Sequence, residues 1–236
     1  MGMRKSNIAL DTIEKWLLRS LLLLVIAYAS GVLIHAGMEY MDVMSNQAQT
    51  AEKCKVAITF DDGPNPEYTV ELLEGLQKRG VKATFFVLGS EVEQYPKILE
   101  AIDNGGHLIG VHSYEHVNFG QIGDAAALEQ IEKTQEAIYA VTGHYAGYIR
   151  PPYGCWKKSL DSEVPLIEVL WDIDPLDWAT KDADTVVQRI LKDTKDGSII
   201  LLHDASASSV QAAFTVIDVL QKENYEFVTV EELLLE

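Results

Sequence analysis

From residue 55 onward, short apolar runs rich in Val, Ile and aromatic residues alternate with segments whose apolar positions recur every three or four residues. The runs predict strands at 55–60, 83–88, 107–111, 147–150, 166–171, 198–202 and 227–229. The periodic segments predict helices near 67–79, 93–104, 124–142, 182–195 and 206–223. Strands that alternate strictly with helices pair in parallel, with the helices as crossovers. About seven such units in fewer than two hundred residues indicate an α/β fold, a distorted (β/α) barrel of about seven to eight units. A doubly wound open sheet is the alternative. Between Arg150 and Trp171 the pattern is irregular and contains Pro165, so one helix of the repeat is expected to be shortened or lost.

The amino terminus reads differently. The run 17–38 is apolar and carries no charge from Ser20 onward, and about twenty residues at roughly 1.5 Å each span a hydrocarbon layer. Arg4, Lys5, Lys15 and Arg19 stand on one side of its apolar centre, with Glu39 and Asp42 on the other, which predicts a cytoplasmic amino terminus and an external remainder. The expected organisation is a cytoplasmic segment at 1–16, a transmembrane signal anchor at 17–38, a polar linker at 39–53 and a catalytic domain at 54–236. Ala27-Tyr28-Ala29 resembles a cleavage site, so secretion after signal-peptide removal is the rival. The apolar run continues past it through Val32, Leu33 and Ile34, which favours a single-pass anchor in the cell membrane.

Charge narrows the partners. The formal net charge is -17, and residues 1–50 hold four Lys or Arg against four Asp or Glu, so the acidity lies beyond them. Such a domain repels phosphate backbones, which argues against nucleic acid, and a neutral substrate fits better. Cys54 precedes the first strand and Cys155 follows a loop at the far end of another, an arrangement that argues against a disulfide. A monomer is expected.

In this architecture the carboxyl ends of the strands collect function. The first predicted strand ends at Asp61-Asp62-Gly63-Pro64, two adjacent carboxylates at a strand's mouth; neighbours on an extended chain point opposite ways, so the two should do different jobs. An ordinary Asp-Gly turn is the plain alternative. After the third strand come His112 and His116, which a helical turn would aim at one cation; two surface histidines are the plain alternative. Two His and one carboxylate leave coordination positions open, as a catalytic zinc requires. Arg150, followed by Pro151 and Pro152, is fit to hold a carboxylate, or only to anchor a loop. Trp171 to Trp178 places indoles beside Asp172, Asp174 and Asp177, with Trp171 read as plain core. His203 closes the strand at 198–202, well placed for proton transfer.

The series TFDDGP, HSYEH, RPPYG, DPLDW and LLHD, in that order over about residues 53–235, resembles the five motifs of the polysaccharide deacetylase family of metal-dependent carbohydrate esterases. Among its members the chain is most similar to peptidoglycan N-acetylglucosamine deacetylases. The resemblance implies a distorted barrel with Asp62, His112 and His116 as ligands of a divalent metal, zinc first and cobalt or manganese next. It implies Asp61 as general base held by Arg150, and His203 as general acid tuned by Asp177. Trp178 and Leu201 would line the pocket for the acetyl methyl group, and the Tyr153 N–H would face the oxyanion. The implied partner is an N-acetylated cell-wall glycan; chitin oligomers, muramic acid residues and O-acetylated xylan are alternatives that share the same site. The stretch 155–165 departs from the family pattern.

Overall fold

The computed structural model describes residues 3–49 and 53–235, in two units divided between Glu52 and Lys53. The first unit is one helix, α1 (Met3–Gln49), within which Lys15–Met41 is long and apolar enough to cross a membrane. It continues over residues 39–49, where the sequence suggests a linker. That stretch contains no Pro or Gly and is built largely from Met, Glu, Gln and Ala, which sustain a helix once it has begun.

The second unit is built on seven strands: β1 (Cys54–Asp61), β2 (Thr84–Val87), β3 (Leu108–Val111), β4 (Tyr148–Ile149), β5 (Ile167–Glu168), β6 (Ser198–His203) and β7 (Tyr225–Phe227). All pairings are parallel, in the order β5-β4-β3-β2-β1-β6, with β7 on the first residues of β1. The strand expected at 166–171 is broken in two. Residues 167–168 pair with β4, while the chain beyond them turns back so that Ile173 bridges Ile200 of β6 and the Leu201 N–H donates to the Ile173 carbonyl at 2.9 Å. This second contact curls the sheet into the expected distorted barrel.

Helices α2 (Tyr68–Arg79), α3 (Gly89–Gln94), α4 (Pro96–Asn104), α5 (Asp124–Thr142), α6 (Ala183–Asp193) and α7 (Ala207–Lys222) cover the strands. The single helix expected at 93–104 is two, because Pro96 has no N–H to continue a helix and is suited to begin one. A short α8 (Val230–Leu234) escaped the periodicity, although Thr229 and Glu232 form a reciprocal cap at its start. No helix joins β4 to β5; two 3-10 turns stand there, as the irregular sequence implied.

Alternation along β1 sorts the core. Val56, Ile58 and Phe60 join Leu72, Leu76 and the other helix-facing residues, whereas Ala57 meets Phe86, Tyr148, Val169 and Val230 on the inner face. Thr59 and Asp61 follow Ala57 on that inner face. The register then levels the mouth, since Asp61 pairs with both Phe86 and His203. Cys54 and Cys155 are both free thiols.

Candidate active site

Asp61 ends β1 on the inner face and is buried, and Asp62 then takes a left-handed backbone with φ of 76°. That single reversal undoes the opposition expected of adjacent strand residues and turns both carboxylates toward one mouth. His112 and His116 reach the same point, but not from a helical turn. The segment after β3 is irregular, and Ser113 (φ 70°) and His116 (φ 55°) are both left-handed, which an α-helix excludes. The rings lie 5.2 Å apart, with each Nε2 3.4 Å from Asp62 Oδ1.

At 3.4 Å these are groups converging on a common centre rather than well-formed hydrogen bonds. Asp62 Oδ1 is enclosed yet has no hydrogen-bond partner, and the three ligand atoms lie within 4.8 Å of one another. The His112 Nδ1 sits 2.6 Å from the Arg150 carbonyl, which takes its proton and leaves the Nε2 lone pair facing inward. Burial lowers the His112 pKa from its ordinary 6.5, only partly opposed by Asp61 and Asp62, so the ring stays in the neutral form that binds metal. The donor set fits a divalent cation with open coordination positions.

Two polar pairs flank this centre. Arg150 is fully buried, and its Nη1 donates to Asp61 Oδ1 at 2.8 Å and to Thr59 Oγ1 at 2.7 Å. Its Nε and Nη2 donate to the carbonyls of Val169 and Leu170, each at 3.1 Å, and its guanidinium lies over the Phe86 ring at 4.2 Å. Four of its five N–H donors are thus engaged and its charge faces Asp61, the pairing a buried guanidinium needs. Truncating one partner of such a pair costs about 3–5 kcal/mol. On the other side, His203 Nδ1 lies 2.8 Å from Asp177 Oδ1, while Asp177 Oδ2 accepts from the His203 N–H at 2.9 Å and from Ser209 Oγ at 2.6 Å. Burial pulls the His203 pKa down, but the hydrogen bond and charge of Asp177, with Asp61 and Asp62 behind them, raise it to about 9. Burial works against Asp177 too, yet its partners hold that carboxylate below the usual range.

These groups meet in a pocket of about 460 Å³, to which Tyr153, Trp171, Trp178, Asp174 and Leu201 add walls. Arg150 and Asp177 stand behind the lining and act through Asp61 and His203. Trp178 is 67% exposed, so it forms an outer wall more than a closed methyl pocket, whereas Leu201 is buried. Trp171 is not plain core: it is half-buried, lines the pocket and faces the Arg150 guanidinium at 5.7 Å. The unforeseen break after β5 brings it there. Tyr153 is left-handed, with its ring 4.8 Å from that of His116.

Sequence reasoning passed over two groups. Asp174 was noted only as one carboxylate among several. Asp204, the last letter of LLHD, is buried; burial raises its pKa to about 7, with the Thr69 hydrogen bond opposing and Asp62 adding. Its place directly after His203 was the available signal.

The family model for polysaccharide deacetylase matches residues 48–166. The peptidoglycan-N-acetylmuramic acid deacetylase PdaC of Bacillus subtilis is 40% identical over 75% of this chain and 38% of its own length. The peptidoglycan-N-acetylglucosamine deacetylase PgdA of Listeria monocytogenes is 37% identical over 76% of this chain, again 38% of its own. The chain thus spans about two fifths of the length of these relatives. The solved structure of the Bacillus subtilis PdaC superposes with a TM-score of 0.75 at 39% identity, covering 77% of this chain and 90% of that one. Five short motifs in order are a suggestive pattern; the same motifs brought to one mouth, on a backbone shared at this level, identify the chain as a member of the polysaccharide deacetylase family.

Proposed function

We propose that this chain is a metal-dependent hydrolase that removes N-acetyl groups from peptidoglycan, releasing acetate and leaving a free amine on the sugar. The observation that carries this reading is the placement of Asp61, braced by Arg150, and His203, braced by Asp177, on either side of the Asp62, His112 and His116 cluster. A bound divalent cation, zinc first with cobalt or manganese next, supplies Lewis-acid polarisation of the acetyl carbonyl and lowers the pKa of water toward about 7.

The chain's own groups do the rest. Asp61 takes a proton from the attacking water with the oxygen that Arg150 leaves free. The Tyr153 N–H, held by its left-handed backbone, faces the developing oxyanion. His203 is protonated at neutral pH and donates from Nε2 to the departing nitrogen, Nδ1 being committed to Asp177. The C–N bond breaks, the water's oxygen stays with acetate, and the sugar nitrogen leaves as an amine.

The names of the two relatives point to the two sugars of one polymer, and we take N-acetylglucosamine as the substrate and muramic acid as the test's other outcome. The apolar helix and the charges beside it support a membrane anchor that holds residues 54–236 outside the cell. Acetate release by the full chain in detergent should be measured on peptidoglycan, chitin oligomers and acetylated xylan, with chelator and with zinc restored. Zinc-dependent release from peptidoglycan, with glucosamine in the digested product, supports the reading. Release from xylan esters alone, or release that survives chelation, refutes it.

A further inference from the structure

Asp204 is 1% exposed, and the proton transfers above do not use it. Its carboxyl lies directly against the turn that carries the metal's aspartate. A Cβ placed on Gly63 would come 2.8 Å from Asp204 Oδ1 and 2.9 Å from Cγ, so the turn rests on this carboxyl with no room for a side chain between. The turn is pinned from another direction by the Leu88 N–H, which donates to the Gly63 carbonyl at 3.0 Å. Thr69 Oγ1 donates to Asp204 Oδ2 and accepts from the Asn65 N–H at 2.7 Å, which ties the same carboxyl to the chain just after the turn. Asp204 also follows His203, which pairs in register with Asp61. Its Oδ1 has no partner, an expensive state for a buried acceptor and one that plain filling of the core would not call for.

We infer that Asp204 is a positioning residue: its carboxyl is the floor on which the Asp61–Gly63 turn rests, and it sets where the Asp62 carboxylate meets His112 and His116. The group acts by shape and by its bond to Thr69, so an amide of the same outline can replace it and a methyl group cannot. The inference rests on the metal site proposed above.

The test is zinc affinity of the metal-free full chain in detergent, read by competition with a chromogenic chelator, beside kcat and KM for acetate release. Asp204→Ala is expected to lower zinc affinity about 10- to 100-fold, the range for groups that support a ligand, while Asp204→Asn stays within about threefold of wild type. kcat should fall in the alanine variant with KM nearly unchanged. Gly63→Ala, which presses on Asp204, should also weaken zinc binding, and its combination with Asp204→Ala should lose less than the two single losses together. Wild-type zinc affinity in Asp204→Ala, equal losses in the asparagine and alanine variants, or strict additivity with Gly63→Ala overturns the inference. If Asp204→Ala does not fold, the other two single variants decide: asparagine must keep zinc affinity and Gly63→Ala must lose it. A wild-type chain that binds no zinc refutes the metal reading instead, which separates the two failures.

Discussion

On one side of the barrel β1 pairs with β6 over six register positions and β2 with β3 over four; on the other, β4 and β5 meet over two. The two sides carry different kinds of group. Asp61, Asp62, His112 and His203 leave from the ends of the long-paired strands, where backbone hydrogen bonds fix positions closely. Tyr153, Trp171 and Trp178, the walls a sugar would meet, leave from short strands and turns. Proton transfer tolerates little error in distance, whereas an aromatic wall can shift and still bury apolar surface. Arg150 belongs to the loose side but reaches across to Thr59 and Asp61, and so ties that side to the rigid one.

The comparison breaks most visibly at the proposed ligands. His116→Ala should abolish tight zinc binding and lower turnover by about 10³-fold, the several kcal/mol that a Lewis acid contributes. Zinc content by mass spectrometry and acetate release check it together. Asp61→Asn should retain zinc but lose turnover by about 10²-fold or more, and metal loss in that variant would contradict the division of labour between the two aspartates.

A smaller effect is expected at His203, and it appears in the pH profile. Because its folded pKa is raised to about 9, the acid form is present at neutral pH and is lost as pH rises. The alkaline limb of kcat/KM should fall between 6.5 and about 9, since a cation at Asp62 offsets part of the aspartates' pull. Asp177→Asn should move that limb down toward 6.5. The same pair links to stability: its contribution is complete below about pH 6.5 and is lost as pH passes through about 9, which thermal melts across that window would register. Smallest is Trp178→Ala, for which KM should rise about 2- to 10-fold with kcat almost unchanged, as expected for about 0.5–1.5 kcal/mol of aromatic contact. A loss of kcat there as large as that of Asp61→Asn would erase the distinction between the two sides.

What could be read from the sequence follows the same division. The long strands and α5 were legible because burial on both faces or a steady helical period leaves a direct trace in residue type, and α5 was bounded to the residue at 124–142. The short side left no such trace. A two-residue pairing such as β4 with β5 has no period, and the bend that sends Ile173 to β6 depends on a partner distant in sequence. Hence Trp171 was read as core when it is a pocket wall. The grouping of Asp62, His112 and His116 was legible from motif order, but not how it is achieved, since a left-handed backbone at Ser113 is selected by the packed surroundings, and the modest preference of His for that region does not single out His116. Asp204 went unread because its role lies in what it touches, Gly63 and Thr69.

Among the described residues, six that are not glycine have a left-handed backbone, and five of them, Asp62, Ser113, His116, Tyr153 and Leu176, stand beyond the carboxyl ends of strands. Each is disfavoured by about 1–2 kcal/mol relative to an ordinary conformation, a cost that glycine would escape. Glycine at any of them would relieve that backbone cost, and at Asp62 or His116 it would at the same time remove a member of the proposed metal set, so stability and metal affinity should move in opposite directions.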